Sequence, residues 1–236
     1  LYKKYNIEVE FIDQKCGTGA MIDALKKKKL DIIIALTEGI TADIIKGSKI
    51  KILGTYVKSK LCWAISVKNK SKIKSIDELK NKTFAISRKG SGSHLMVNVL
   101  ALQKNWNIQN LKFKVIGNFE KLRNSLNNNE TDAFLWEKFT TKPYHDDNTI
   151  TKLDEISTPW SCFKIAALEE NIKNNKDIIN KLLLVINEAA VIFKLESETM
   201  PKIIAKEYQL KEEDALEWYN SVDIVANNKV SKSNLE

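Results

Sequence analysis

Proline and cysteine each occur only three times in 236 residues, glycine eight times and histidine twice. So few prolines and glycines argue against collagen-like and low-complexity chains. The cysteines, Cys16, Cys62 and Cys162, are odd in number and lack C-x-x-C spacing, which argues against a metal site and against a complete disulfide framework. No apolar run approaches the roughly 20 residues of a membrane span. The longest, among them Ile32 to Leu36, have the length of a strand, so direct membrane insertion is not expected. No charged, apolar and small-residue signal segment is visible from Leu1 onward. Together with unpaired thiols this gives an expectation of a cytoplasmic setting, the alternative being a periplasmic or extracytoplasmic one after processing.

Arginine is nearly absent as well. The formal charge is +8, yet Arg88 and Arg123 are the only arginines among 38 basic residues. Lysine is scattered over every segment, with no basic stripe, helix-turn-helix or RNA-binding signature, so a nucleic-acid partner is not expected. The run Lys26 to Lys29 reads as cations complementing a helix C-terminus. What is plentiful is apolar residue, 43% of the chain, enough for a sizeable core and more than one compact unit.

Alternation of Ile7, Val9 and Phe11 with Glu8 and Glu10 predicts a strand, followed by the Gly17-Thr18-Gly19 loop and a helix to about Lys29. Asp31 to Ala35 reads as a buried strand ended by Thr37-Glu38-Gly39. Ile40 to Lys46 then reads as a helix, and Ile50 to Val57 and Leu61 to Val67 as two strands. Ser75 to Glu78 has the spacing of a capping box. Strand Thr83 to Ser87, loop Arg88 to Ser93 and helix His94 to Asn105, with Leu95, Val99 and Leu102 on one stripe, repeat the pattern. Strand Lys112 to Ile116, helix Phe119 to Leu126 capped by Asn118, and strand Asp132 to Trp136 follow. Ile150 to Ile156 and Cys162 to Leu168 read as strands separated at Pro159. From Asn174 on the chain reads as all helical, with Ile178, Leu182, Val185, Ile186, Ala189 and Phe193 marking one long amphipathic helix. Strands alternating with helices in two series imply an α/β fold with two mostly parallel sheets flanked by helices and, economically, two lobes with a cleft. Ligands in such folds bind at strand carboxyl ends.

Six of the eight glycines lie in four short loops after predicted strands, at 17 and 19, 39, 90 and 92, and 117. Glycine permits the close backbone approach of a ligand cradle. The loop Arg88 to His94 carries the most chemistry. Gly90-Ser91-Gly92-Ser93 before the helix that His94 begins aims backbone N–H groups and a positive helix end at one point, which suits phosphate, sulfonate or carboxylate. Arg88 adds a bidentate fork, the alternative being an ordinary capped helix with a surface arginine. Glu38 could accept from an ammonium or ring N–H, or pair with a lysine. Trp136, Glu137, Asn118 and Phe119 would supply aromatic surface and polar groups, with Phe139 and Trp160 near the expected crossing, the alternative for Trp136 being a core position. Trp63, Trp106 and Trp218 are assigned to packing.

Five runs together carry a family resemblance: Cys16 to Gly19, Ala35 to Gly39, Ser87 to His94, Gly117 to Glu120 and Asp132 to Glu137. Their order and spacing resemble the type 2 periplasmic-binding-protein fold, and within it the sulfonate, nitrate and taurine solute-binding proteins, including a thiamine-pyrimidine-related branch and a fungal and bacterial subgroup. The resemblance implies a first domain of residues 1–69 and 161–236, with its first strand preceding this numbering, and an inserted domain of residues 70–160 joined by two crossovers acting as a hinge. It implies hinge closure around a small polar ligand, anionic or zwitterionic, such as a sulfonate, phosphate, carboxylate or pyrimidine-like molecule, and a transporter as a partner. No catalytic constellation, metal or cofactor is expected. Gly90-Ser91-Gly92-Ser93-His94 is not a G-x-S-x-G elbow, and HExxH, Walker and GxGxxG motifs are missing. The alternative is an enzyme of thiamine-pyrimidine type using the same cleft, for which Cys16 and His94 are the candidate pair. A third reading, the ligand-sensing half of a regulator, would need a DNA-binding domain that these residues do not contain.

Overall fold

A computed structural model describes residues 1–14 and 17–227, the last two by backbone alone. Cys16 lies outside the described residues. In chain order the elements are α1 (Gly17–Lys26), β1 (Ile33–Leu36), α2 (Thr37–Ile45), β2 (Ile50–Lys68), β3 (Thr83–Ile86), α3 (Gly92–Gln103), β4 (Lys112–Val115), α4 (Phe119–Asn127), β5 (Ala133–Glu137) and α5 (Lys138–Asp146). Then come β6 (Ile150–Leu168), α6 (Glu169–Asn174), α7 (Lys176–Leu195), α8 (Met200–Tyr208), α9 (Glu212–Ser221) and β7 (Ile224–Asn227). The chain divides into two compact units, Leu1–Ser59 with Trp160–Glu236, and Lys60–Pro159. The long strands β2 and β6 each carry the chain from one unit into the other.

In the first unit β1 pairs antiparallel with β6, from Ile33↔Ala166 to Leu36↔Phe163, and β2 pairs antiparallel with β7. Alternate residues of a strand face opposite sides. Accordingly Ile33 and Ala35 pack with Ile22, Leu25, Ile40 and Ile50 under α1 and α2, while Ile32 and Ile34 meet Ile186 and Ala190 of α7. Both faces are covered, which is why residues 32–36 are apolar without alternation. Fully buried side chains such as Leu25, Ile40 and Ile50 each contribute about 1.5–3 kcal/mol of transfer free energy. In α7 the buried positions are Ile179, Val185, Ile186 and Ala190. The predicted stripe is off by one at its start, since Ile178 is 49% exposed.

In the second unit β2 pairs antiparallel with β5, β5 lies parallel to β3, and β3 lies parallel to β4. Helices α3 and α4 connect these parallel strands, as such crossovers require. Ala85, Leu122, Leu126, Phe134 and Ile150 form one core cluster. The buried face of α3 is Met96, Val97, Val99 and Leu100. Leu102, expected on that face, is 63% exposed.

The α/β architecture is as expected, but its described ladders are mixed rather than mostly parallel, because β2 and β6 pass their neighbours in reverse direction. Residues 7–14 form no strand. Only Ile7 is buried, and Phe11 is 76% exposed, since alternation without a hydrogen-bonding partner does not hold a strand. The two strands expected in residues 50–67 are one, and β6 runs unbroken through Pro159. Pro159 is exposed, and proline's fixed φ suits extended backbone where no ladder bond needs its N–H. Helix α5 carries no helical signal in its sequence, KFTTKPYHD, which combines threonines with an internal Pro143. The carboxyl-terminal region is not all helical, because β7 ends the described chain. The predicted capping box at Ser75 opens only a 3-10 turn, in which Ser75 Oγ donates to Glu78 Oε1 at 2.9 Å instead of capping an amide.

Candidate functional site

Two of the expected motifs meet in the first unit. Thr37, Glu38 and Gly39 form the first turn of α2 rather than a loop, and Gly17, Thr18 and Gly19 form the first turn of α1. Thr18 Oγ1 accepts from the Leu36 N–H at 3.2 Å, joining α1 to the end of β1. A Cβ on Gly39 would lie 2.5 Å from the Thr18 methyl, so glycine at 39 is what lets the two helix starts touch. Gly17 has a φ of +72°, which a residue with a side chain rarely adopts. Two helix N-termini, each with unsatisfied amides and a partial positive charge, therefore lie side by side.

Helix α2 is anchored to β6 through its first two side chains. Thr37 Oγ1–H donates to the Ser161 carbonyl at 2.6 Å, with Cys162 O at 3.1 Å. Glu38 Oε2 accepts from the Trp160 indole N–H at 3.0 Å. Its other oxygen, Oε1, is enclosed and has no partner. Burial pushes the Glu38 carboxyl above the usual carboxylate range, and its hydrogen bonds only partly offset this. An orphaned carboxylate oxygen costs about 1–3 kcal/mol or more, and a donor from outside the protein would relieve it.

Beneath this anchor lies Lys164, which sequence reasoning missed. Its side chain is completely buried, yet its Nζ donates only to Thr55 Oγ1 at 2.9 Å and Ser161 Oγ at 2.8 Å. Burial holds its pKa below the usual lysine range. The available signal was one lysine interrupting the apolar run Phe163 to Leu168.

In the second unit the predicted loop forms as a closed hydrogen-bonded knot. Ser91 caps α3, its Oγ accepting from the His94 N–H and donating to the Arg88 carbonyl at 2.8 Å. Ser93 Oγ lies 2.9 Å from Ser91 Oγ and accepts from the Ser87 N–H. The Gly90 N–H donates to His94 Nδ1 at 3.1 Å, which places the neutral ring's proton on Nε2. Burial, then Lys89, lowers the His94 pKa. Several loop amides expected to be available are thus used internally. Helix geometry leaves the Gly92 and Ser93 N–H groups without intrahelical acceptors, and Arg88, just before them in the chain, is exposed.

The remaining predicted residues divide between packing and capping. Asn118 caps α4, accepting from the Lys121 N–H at 3.0 Å. Phe119 stacks on Trp136 at 5.4 Å and 22°, edge-on to Phe134 and Tyr144, and both rings are half-buried. Glu137 was read as a ligand contact. Its carboxylate instead accepts from the Phe139 and Thr140 N–H groups at 2.9 and 2.7 Å, capping α5. Phe139 is core. In the Cys16 and His94 pair, Cys16 lies outside the described residues and His94 Nδ1 is occupied by Gly90. Burial, then Glu155, pushes the Cys62 thiol up to about 11, which suppresses its thiolate. Among the described residues no group of three or more His, Cys, Asp or Glu could hold a metal ion, and no helix is long and apolar enough to cross a membrane. An apolar cavity of about 690 Å³, lined by Tyr5, Leu184, Val191 and Ile224 among others, shares no residue with these sites.

Comparison with known proteins agrees with this architecture. A solved structure from Methylobacillus flagellatus KT, described as the periplasmic sulfonate-binding protein SsuA of a sulfonate ABC transporter, superposes with a TM-score of 0.71 at 16% identity, covering 97% of this chain and 70% of that one. PhnD1 from Prochlorococcus marinus, in complex with methylphosphonate, superposes with a TM-score of 0.63 at 13% identity, covering 100% and 85%. The fold is therefore that of the periplasmic binding proteins. The Candida albicans CA3427 gene product, described as defining a new family with the generic periplasmic-binding-protein fold, is 33% identical with a TM-score of 0.88, covering 95% of this chain and 74% of that one. The sequence model described as Ca3427-like PBP matches residues 63–156, and the chain belongs to that family. No curated protein sequence matches it.

Proposed function

We propose that the chain binds a small anionic or zwitterionic solute and releases it chemically unchanged. The observation that carries this reading is the start of α3, where the Gly92 and Ser93 amides lack intrahelical acceptors and the exposed Arg88 closely precedes them in the chain. Fixed donors and a guanidinium at one point suit a tetrahedral oxyanion. In the other unit, the orphaned Glu38 Oε1 suits a donor such as an ammonium. The names of the neighbours, a sulfonate-binding SsuA and a PhnD1 holding methylphosphonate, support a sulfonate or phosphonate and a binding role without chemistry. The naming of SsuA with an ABC transporter supports delivery to an importer. A cytoplasmic setting finds no support in these neighbours, and the periplasmic naming supports an extracytoplasmic one.

Calorimetric titration with methanesulfonate, methylphosphonate and their amino-bearing analogues tests the reading. A charge-assisted hydrogen bond contributes about 1.5–3 kcal/mol, so Arg88→Ala should weaken binding about 10- to 100-fold. Arg88→Lys, which keeps the charge but loses the fork, should fall between. Wild-type affinity in Arg88→Ala would sink the anion assignment.

A further inference from the structure

The polar network under α2 contains a buried cation with no anion to match it. Lys164 is 0% exposed, its two hydrogen bonds go to neutral hydroxyls, and among the described residues no carboxylate pairs with it or acts on its titration. Removing an ammonium from water costs several kcal/mol even after relaxation. Two hydroxyl acceptors return only part of that, so Lys164 is a poor stabiliser of the fold.

Its position is better matched to a different task. Thr55 lies on β2 and Ser161 on β6, so the ammonium ties together the two strands that leave this unit, close to their exits at Ser59 and Trp160. Ser161 is also the residue whose carbonyl takes the Thr37 hydroxyl proton, and Trp160 next to it holds Glu38 Oε2. The path Thr55, Lys164, Ser161, Trp160, Glu38 is continuous through hydrogen bonds and one peptide link. The Trp160 hold on the Glu38 carboxylate therefore passes through a backbone segment that Lys164 fixes.

We propose that Lys164 is a positioning residue for solute recognition: by clamping Ser161 against Thr55 it holds residues 160–162 so that Glu38 presents its unpaired oxygen to a solute ammonium. This rests on the reading of Glu38 as a solute contact. Lys164 acts through its neighbours and does not touch the solute itself.

The test compares two probes that differ by one ammonium, aminomethylphosphonate and methylphosphonate, titrated into wild type, Glu38→Gln, Lys164→Met and Ser161→Ala. Wild type is expected to favour the amino compound about 10-fold or more, the scale of one charged hydrogen bond. Lys164→Met should bring that preference close to the Glu38→Gln level while leaving the methylphosphonate affinity within about two-fold. Its melting temperature should not fall, because an apolar replacement removes a desolvation cost. Ser161→Ala keeps the lysine, breaks the relay and should lose the preference as well, which covers the case of a poorly folding Lys164→Met. A Lys164→Met protein with wild-type preference overturns the proposal while the Glu38 reading stands. A parallel loss of stability and of affinity for both probes also overturns it, since that is what a purely structural lysine would give. If Glu38→Gln keeps the wild-type preference, or wild type has none, the Glu38 reading itself fails and the positioning role falls with it.

Discussion

Replacing Gly39 by alanine probes the contact that brings the α1 and α2 motifs together. The new Cβ would meet the Thr18 methyl at 2.5 Å, Thr18 Cβ at 3.4 Å and Ile22 Cδ1 at 4.0 Å. Rotating Thr18 to clear the methyl would pull its Oγ1 from the Leu36 N–H, so the threonine cannot yield without losing a hydrogen bond of about 1 kcal/mol. Overpacking of this kind costs about 1–3 kcal/mol. Alanine returns up to about 1 kcal/mol of helix propensity, and the net expectation is a loss of about 1–2 kcal/mol. Thr18→Ser removes the obstructing methyl and keeps the hydroxyl. In the Gly39→Ala background it should restore most of the loss, giving a coupling of about 1 kcal/mol or more in urea unfolding at neutral pH. A Gly39→Ala protein as stable as wild type, or one that Thr18→Ser does not rescue, would refute the packing argument.

Acid should weaken the second unit through His145, whose Nε2 lies 3.0 Å from Ser66 Oγ and whose pKa burial lowers from 6.5 to about 4. A group with a depressed folded pKa contributes stability that is full above 6.5 and is lost as pH falls from 6.5 to about 4. At about 1.4 kcal/mol per pH unit the gap amounts to roughly 3 kcal/mol, which partial solvent access reduces to about 1–2 kcal/mol. His145→Gln should flatten that part of the profile in urea unfolding at pH 7 and 4.5, and an unchanged slope would count against it. Glu38 has the opposite sign. Its raised carboxyl pKa means that the burial cost is absent below about 4.5 and appears as pH rises through the folded value. Glu38→Gln should therefore gain stability at neutral pH while losing preference for amino-bearing solutes. Glu137→Ala should cost about 1–2 kcal/mol as a lost helix cap and leave anion affinity close to wild type. A large loss of affinity without a loss of stability would return Glu137 to the solute site.

How much was legible follows from how far each signal reaches. The buried strand expected at residues 31–35, the Asn118 cap and the long helix after Asn174 are local patterns, set by residues within a few positions of one another. Other features depend on remote neighbours. Residues 7–11 alternate as a strand does, yet no partner fixes them. Pro159 looks like a break and is carried through an extended crossover. Glu137 looks available to a ligand, but α5 folds back onto its carboxylate.

The α/β class and most of the helices and strands follow from local sequence, because backbone propensity and apolar periodicity act over a few residues. Tertiary structure decided the direction of each ladder, the seating of Gly39 against Thr18, the loop amides consumed by Ser91, Ser93 and His94, and the burial of Lys164 beneath Glu38. Desolvation and hydrogen-bond satisfaction depend on every atom around a group, and residues far away in the chain supply most of those atoms.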